Sequence, residues 1–122
     1  MSVVINADFL VDLISGHKFA FSTEKQLHQG LAQLMQEQGI QFEPEVKLNA
    51  HDRIDFMVGR VGVEVKIKHP LPSVLRQLHR YAQCPEIDEL LLISTRAPHA
   101  LTPTEINGKQ VKFVFLGWGM LG

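Results

Sequence analysis

Two short runs, Arg53-Ile54-Asp55-Phe56-Met57-Val58 and Val61-Gly62-Val63-Glu64-Val65-Lys66-Ile67-Lys68, are separated only by Gly59-Arg60. Each alternates in character with the two-residue period of a half-buried strand. A two-residue link carrying glycine between such runs predicts a tight hairpin. On that reading Ile54, Phe56 and Val58 share one side of the first strand, and Val61, Val63, Val65 and Ile67 share one side of the second. The opposite side collects Asp55, Glu64 and Lys66, with the two acids side by side across the hairpin. Two carboxylates and an ammonium on one patch can bind a divalent cation and activate a water beside it. An ordinary strand pair with a solvated face would also place Glu and Lys two positions apart, so other residues must decide.

Three departures from ordinary patterning bear on that decision. Aspartate is depleted in strands, yet Asp55 lies between Ile54 and Phe56. The segment from Ser22 or Thr23 to about Gly39 has capping-box spacing in Thr23-Glu24-Lys25-Gln26 and the stripe Leu27, Leu31, Leu34, Met35 of a helix laid on a sheet. At about 100° per residue, Glu24 projects into the middle of that stripe. A carboxylate there is disfavoured unless a cation compensates it, although a first-turn acid can also favour the helix dipole and reach water. A second helix, about Ser73 to Gln83, follows Pro70-Leu71-Pro72, with Leu71, Val74, Leu75, Leu78 and Ala82 along its apolar arc. Gln77 and Tyr81 stack one turn apart at the edge of that arc, where an amide and a phenol can reach one ligand or simply flank the core.

The remaining segments supply the rest of a fold. Residues 7–15 read as a short helix ending at Gly16, with Phe9, Leu10, Leu13 and Ile14 turned inward, and His17 to Phe21 as an extended connector. Ile40 to Leu48 reads as a strand that Pro44 confines to an edge or a bulge, and Asn49 to Asp52 as its link to the hairpin. The unbroken Leu90-Leu91-Leu92-Ile93 within Glu89 to Thr95 marks a strand buried on both faces, central and parallel to a neighbour. Arg96 to Pro103 reads as a loop, Asn107-Gly108 as a turn, and Val111 to Leu116 as a last strand. The expectation is one α/β (α+β) domain over residues 1–122, a mixed sheet of about five strands flanked by helices.

Bulk properties narrow the function classes. A net charge of -1 argues against coating nucleic acid by bulk electrostatics. A local basic groove remains available from Lys66, Lys68, Arg76 and Arg80, with His69 and His79 nearby. No apolar run reaches the roughly 20 residues of a membrane span, and the first residues lack a secretory pattern, so a cytoplasmic location is expected. The single Cys84 excludes an internal disulfide and reads as a structural thiol. The six histidines are dispersed with no His-Glu-x-x-His spacing, and no glycine-rich loop precedes Lys-Ser/Thr. Trp118 reads as closing a core edge.

Glu24, then Asp55, then Glu64-Val65-Lys66, then Gln77-Leu78-His79-Arg80-Tyr81 resembles the PD-(D/E)XK, or restriction-endonuclease-like, nuclease superfamily, with a Gln-x-x-x-Tyr element similar to that of RecB-type nucleases. Ile54 stands where the namesake proline would precede the acid. The resemblance implies a restriction-endonuclease-like core and metal-dependent hydrolysis of DNA phosphodiesters, exonucleolytic or structure-selective. It further implies that Asp55, Glu64, the Val65 carbonyl and Glu24 hold Mg²⁺ or Mn²⁺, that Lys66 orients or deprotonates the attacking water, and that Gln77 and Tyr81 position the substrate or the lysine. Lys68, Arg76 and Arg80 are expected contacts to the DNA backbone, and a homodimer suits two-stranded or branched substrates. The competing reading is a non-catalytic nucleic-acid-binding or interaction module that keeps the fold.

Overall fold

The computed structural model describes residues 5–96 and 102–117. Among the described residues there are three helices, α1 (Ala7–Ser15), α2 (Glu24–Glu37) and α3 (Leu71–Tyr81). The six strands are β1 (Glu43–Lys47), β2 (Arg53–Val58), β3 (Val61–Lys66), β4 (Glu89–Ser94), β5 (Glu105–Ile106) and β6 (Lys109–Phe115). They form one mixed sheet in the order β1-β2-β3-β4-β6-β5. β1, β2 and β3 are an antiparallel meander, whereas β4 runs parallel to both β3 and β6. Antiparallel neighbours need only a tight turn, but parallel ones need a crossover, and α3 supplies the one between β3 and β4.

Both faces of the sheet are covered. Leu27, Leu31, Leu34 and Met35 of α2 join Leu10 and Ile14 of α1 over Val61, Val63, Val65, Leu91 and Ile93. Val74, Leu78 and Tyr81 of α3 pack on the other face against Ile54, Leu90 and Leu92. The unbroken apolar run of β4 is thus explained, because its alternate leucines serve opposite faces. The capping box also forms: Thr23 Oγ1 accepts the Gln26 N–H at 3.1 Å, and Gln26 Oε1 accepts the Thr23 N–H at 3.3 Å. It fixes the first turn of α2, where Glu24 stands.

Several expectations need correction. The sheet has six strands rather than five, because β5 pairs with β6 across the Asn107-Gly108 turn and is too short to show a period. The first strand is confined to Glu43–Lys47 at the sheet edge. α3 begins two residues earlier than Ser73, since Pro72 occupies the first turn, where a missing N–H costs nothing. Phe9 is 41% exposed rather than turned inward. Trp118 and part of the 96–103 segment lie outside the described residues.

The most consequential correction concerns the hairpin. Gly59, at φ +59°, makes its turn as expected. Ile54, however, faces α3 together with Met57, whereas Phe56 and Val58 face α1 and α2. Strict alternation fails because the strands are distorted at this point. The β2–β3 pairs run Val58↔Val61, Met57↔Gly62 and Phe56↔Val63. On the other side β1 pairs through Pro44↔Phe56 and Val46↔Ile54, and Glu45 between them is left-handed at φ +53°. A local irregularity of this kind re-aims side chains, and Asp55 is the residue re-aimed.

Candidate active site

Asp55 and Glu64 occupy the gap where β2 and β3 part. The Asp55 N–H donates to Glu64 Oε1 at 3.2 Å, and the Val65 N–H donates to Asp55 Oδ2 at 2.7 Å. Each acid therefore caps a backbone group of the opposite strand. In a strand the N–H and C=O of one residue leave on the same side, so the Val65 carbonyl opens into the same gap.

Glu64 is the more deeply held of the two, at 2% exposure. Its Oε2 lies 3.3 Å from Lys66 Nζ and accepts the Tyr81 O–H at 2.9 Å. Burial and the adjacent Asp55 charge push its carboxyl up to about 8, against the opposing pull of Lys66. For Asp55 burial acts upward as well, but His28 and the Val65 N–H outweigh it and hold the carboxyl below its ordinary range. Like-charge neighbours in a dry site cannot both ionise cheaply, so Asp55 carries the charge and Glu64 retains the proton. Burial and the Glu64 carboxyl raise the Tyr81 phenol, which stays a hydrogen-bond donor.

The Glu24 side reveals a residue that the sequence reading passed over. His28, one turn beyond Glu24 on α2, places Nε2 3.4 Å from Asp55 Oδ2. That nitrogen is buried and closes no hydrogen bond. The ring leans on Phe56 with centroids 5.4 Å apart. Attraction to the Asp55 carboxylate, greater than the opposing effect of burial, raises the imidazole above its ordinary value. Glu24, His28 and Asp55 offer ligand atoms that all lie within 4.8 Å of one another. Glu24 does not enter the core: its side chain is 37% exposed, with Oε2 3.5 Å from His69 Nε2. The Glu24-x-x-x-His28 step was the available signal, because residues four apart share a helix face.

The remaining candidates divide. Tyr81 is fully buried and reaches both Glu64 and the Arg53 carbonyl, at 3.1 Å for the latter. Gln77, half-buried one turn earlier on α3, closes no side-chain hydrogen bond among the described residues. Arg80 is tied to the buried Asp52, Nε to Oδ1 2.9 Å, so it anchors α3 to the start of β2. Burial would raise the Asp52 carboxyl, but Arg80 and Asn49 hold it low. Arg76 and Lys68 are exposed, with Lys68 in a left-handed conformation at φ +59° and its N–H directed to Thr95 Oγ1. Two larger hollows, of about 910 and 850 Å³, lie around the Gly59-Arg60 turn at the far end of the hairpin, where Arg60 is engaged by Asp88. They lack the converging acids and lysine, so the acid gap is the better chemical site.

Comparison of the chain with protein-family models, curated proteins and solved structures gives no match. The functional reading therefore rests on geometry. Among the described residues no helix is long and apolar enough to cross a membrane.

Proposed function

We propose that the protein is a Mg²⁺- or Mn²⁺-dependent DNA nuclease of restriction-endonuclease-like fold. The single observation that carries this reading is the meeting of Asp55, Glu64 and Lys66 in the gap at the open end of the hairpin, flanked by α2 and α3. The helix, meander, helix, strand order around that gap agrees with the fold proposed.

A divalent cation fits this set of donors. Glu24, His28 and Asp55 converge, and the buried, unsatisfied His28 Nε2 supplies an observation independent of the acids. These three would hold the ion, with the Val65 carbonyl opening beside them. Its imidazole tilts the set toward Mn²⁺, since Mg²⁺ prefers oxygen donors. When bound, the ion supplies Lewis-acid polarisation of the phosphate and of water. Lys66 orients the attacking water and offsets charge on the phosphate. The water oxygen attacks phosphorus in line and gives up a proton to surrounding water, the bond to the leaving sugar oxygen breaks, and that oxygen takes up a proton from water in turn, so that one water is consumed and no net proton is gained or lost within the site. Tyr81 positions Glu64 rather than contacting substrate. Arg76 and Lys68 are exposed cations for the DNA backbone, whereas Arg80 serves Asp52 first.

One observation favours a non-catalytic nucleic-acid-binding module instead: both Glu64 oxygens are already engaged, Oε1 by the Asp55 N–H and Oε2 by Tyr81 and Lys66. Incubation with linear, nicked, branched and single-stranded DNA in Mg²⁺, Mn²⁺ or EDTA separates the two. Metal-dependent cleavage is expected. Salt-sensitive binding with no cleavage of any substrate would favour the module.

A further inference from the structure

We infer that the cavity beside Lys66 on the α3 face accepts the unpaired base of a DNA strand whose phosphate lies at the acid pair. The inference rests on the nuclease reading and names its substrate class: strands with an unpaired nucleotide next to the scissile bond, such as single strands, overhangs and flaps.

The cavity has a volume of about 350 Å³ and is lined by Val74, Leu92, Ser94, Phe113, His69 and Arg96 among others. Small-ligand pockets begin at about 300 Å³, so it can take one base but not a base pair. Sheet register ties it to the acids. Glu64, Leu92 and Phe113 are aligned across β3, β4 and β6, and Lys66, Ser94 and Phe115 form the next row. Aligned residues of parallel strands point to the same face, and each strand step is about 4.8 Å. Ser94 thus stands one strand from Lys66, and Phe115 two strands, within the reach of a single nucleotide. His69 lines the same cavity and also reaches Glu24, so cavity and acid gap share a wall.

The chemistry of the lining and of its neighbour on β6 matches a nucleobase. Phe115 is not part of the lining but follows Phe113 on the same face, paired with Ser94, and is 51% exposed, a large ring left in water at the mouth-side end of β6. Successive bases stack on such rings whatever their sequence. Ser94 is 7% exposed, and its Oγ accepts the Arg96 N–H at 3.0 Å. Its own hydrogen goes to no group among the described residues, which leaves a donor for a base nitrogen or carbonyl. Arg96 is exposed at the rim, suited to a neighbouring phosphate or to stacking.

The test uses single-stranded DNA carrying 2-aminopurine, whose emission is quenched on stacking, with cleavage blocked by EDTA. Wild-type protein is expected to quench the emission and to bind a blunt duplex at least about tenfold more weakly, the scale of one base stack. Phe115→Ala should weaken single-strand binding by about the same factor, and Ser94→Ala by about two- to tenfold, the scale of one neutral hydrogen bond. Phe115 is exposed, so its variant is expected to fold, which circular dichroism checks. Unchanged emission on binding, equal affinity for blunt duplex, or a folded Phe115→Ala protein with wild-type affinity would overturn the inference. Cleavage of an end-labelled copy in Mn²⁺ is read separately. Quenching without cleavage would retain the base pocket and remove the catalytic reading, whereas cleavage without quenching would do the reverse.

Discussion

The Tyr81 hydroxyl donates to Glu64 Oε2 across 2.9 Å, joining the last turn of α3 to the interior of β3. A buried acid that keeps its proton near neutrality needs such partners, because an unsatisfied polar group in the interior is costly. Tyr81→Phe removes the donor and leaves the ring in place. It should destabilise the metal-free protein by about 1–2 kcal/mol, read as a lower midpoint in urea with an unchanged slope.

The pH dependence of stability follows from three groups. Glu64 moves from an ordinary 4.5 to about 8 on folding, so between those values the folded chain holds the extra proton and stability falls as pH rises. Asp55 is held below its ordinary 3.8, and its contribution is lost as pH falls through that lowered value. His28 is raised above 6.5, and its contribution is lost as pH climbs through the raised value. Thermal melts in EDTA should therefore peak at mildly acidic pH and decline toward pH 8. Glu64→Gln should flatten that decline and stabilise the protein near pH 8 by on the order of 2 kcal/mol. An unchanged slope in this variant would mean that Glu64 is not the group titrating.

His28 carries the metal expectation independently of catalysis. His28→Ala should weaken Mn²⁺ binding in titration calorimetry by at least about tenfold, a factor reached even by groups that only orient a ligand. The accompanying rise in melting temperature on adding Mn²⁺ should shrink with it. Equal affinity in wild type and variant would remove His28 from the ligand set.

Gly62 is fixed by packing. A Cβ there would lie 2.6 Å from Ile54 Cδ1, 3.2 Å from Ile87 Cδ1 and 3.3 Å from Leu90 Cδ2, and all three side chains are fully buried. Gly62→Ala should cost about 1–3 kcal/mol in chemical denaturation. The same strain bears on Ile54, immediately before Asp55, so metal binding should weaken as well.

Much of this arrangement could be read from residues alone. The hairpin announced itself through its two-residue period and Gly59, β4 through Leu90-Leu91-Leu92-Ile93, and α2 through Thr23 and Gln26, because each is a local pattern. His28 was not recognised, since only the seating of α2 over β3 decides that its face meets Asp55. The side on which Ile54 lies does not follow from the two-residue period, because the period breaks between Ile54 and Phe56, where β2 parts from β3 and the neighbouring Glu45 is left-handed. The Asp52–Arg80 tie spans 28 residues and leaves no trace in local spacing.

The most direct test is the single-turnover rate of DNA cleavage in Mn²⁺ for wild type, Asp55→Asn and Lys66→Ala, with folding of each variant checked by its melt. Both substitutions should lower the rate by at least about 100-fold, the scale of removing a positioned catalytic group, and EDTA should abolish it in wild type. Wild-type rates in either folded variant, or cleavage that persists in EDTA, would contradict the assignment of the β2–β3 gap as the catalytic centre.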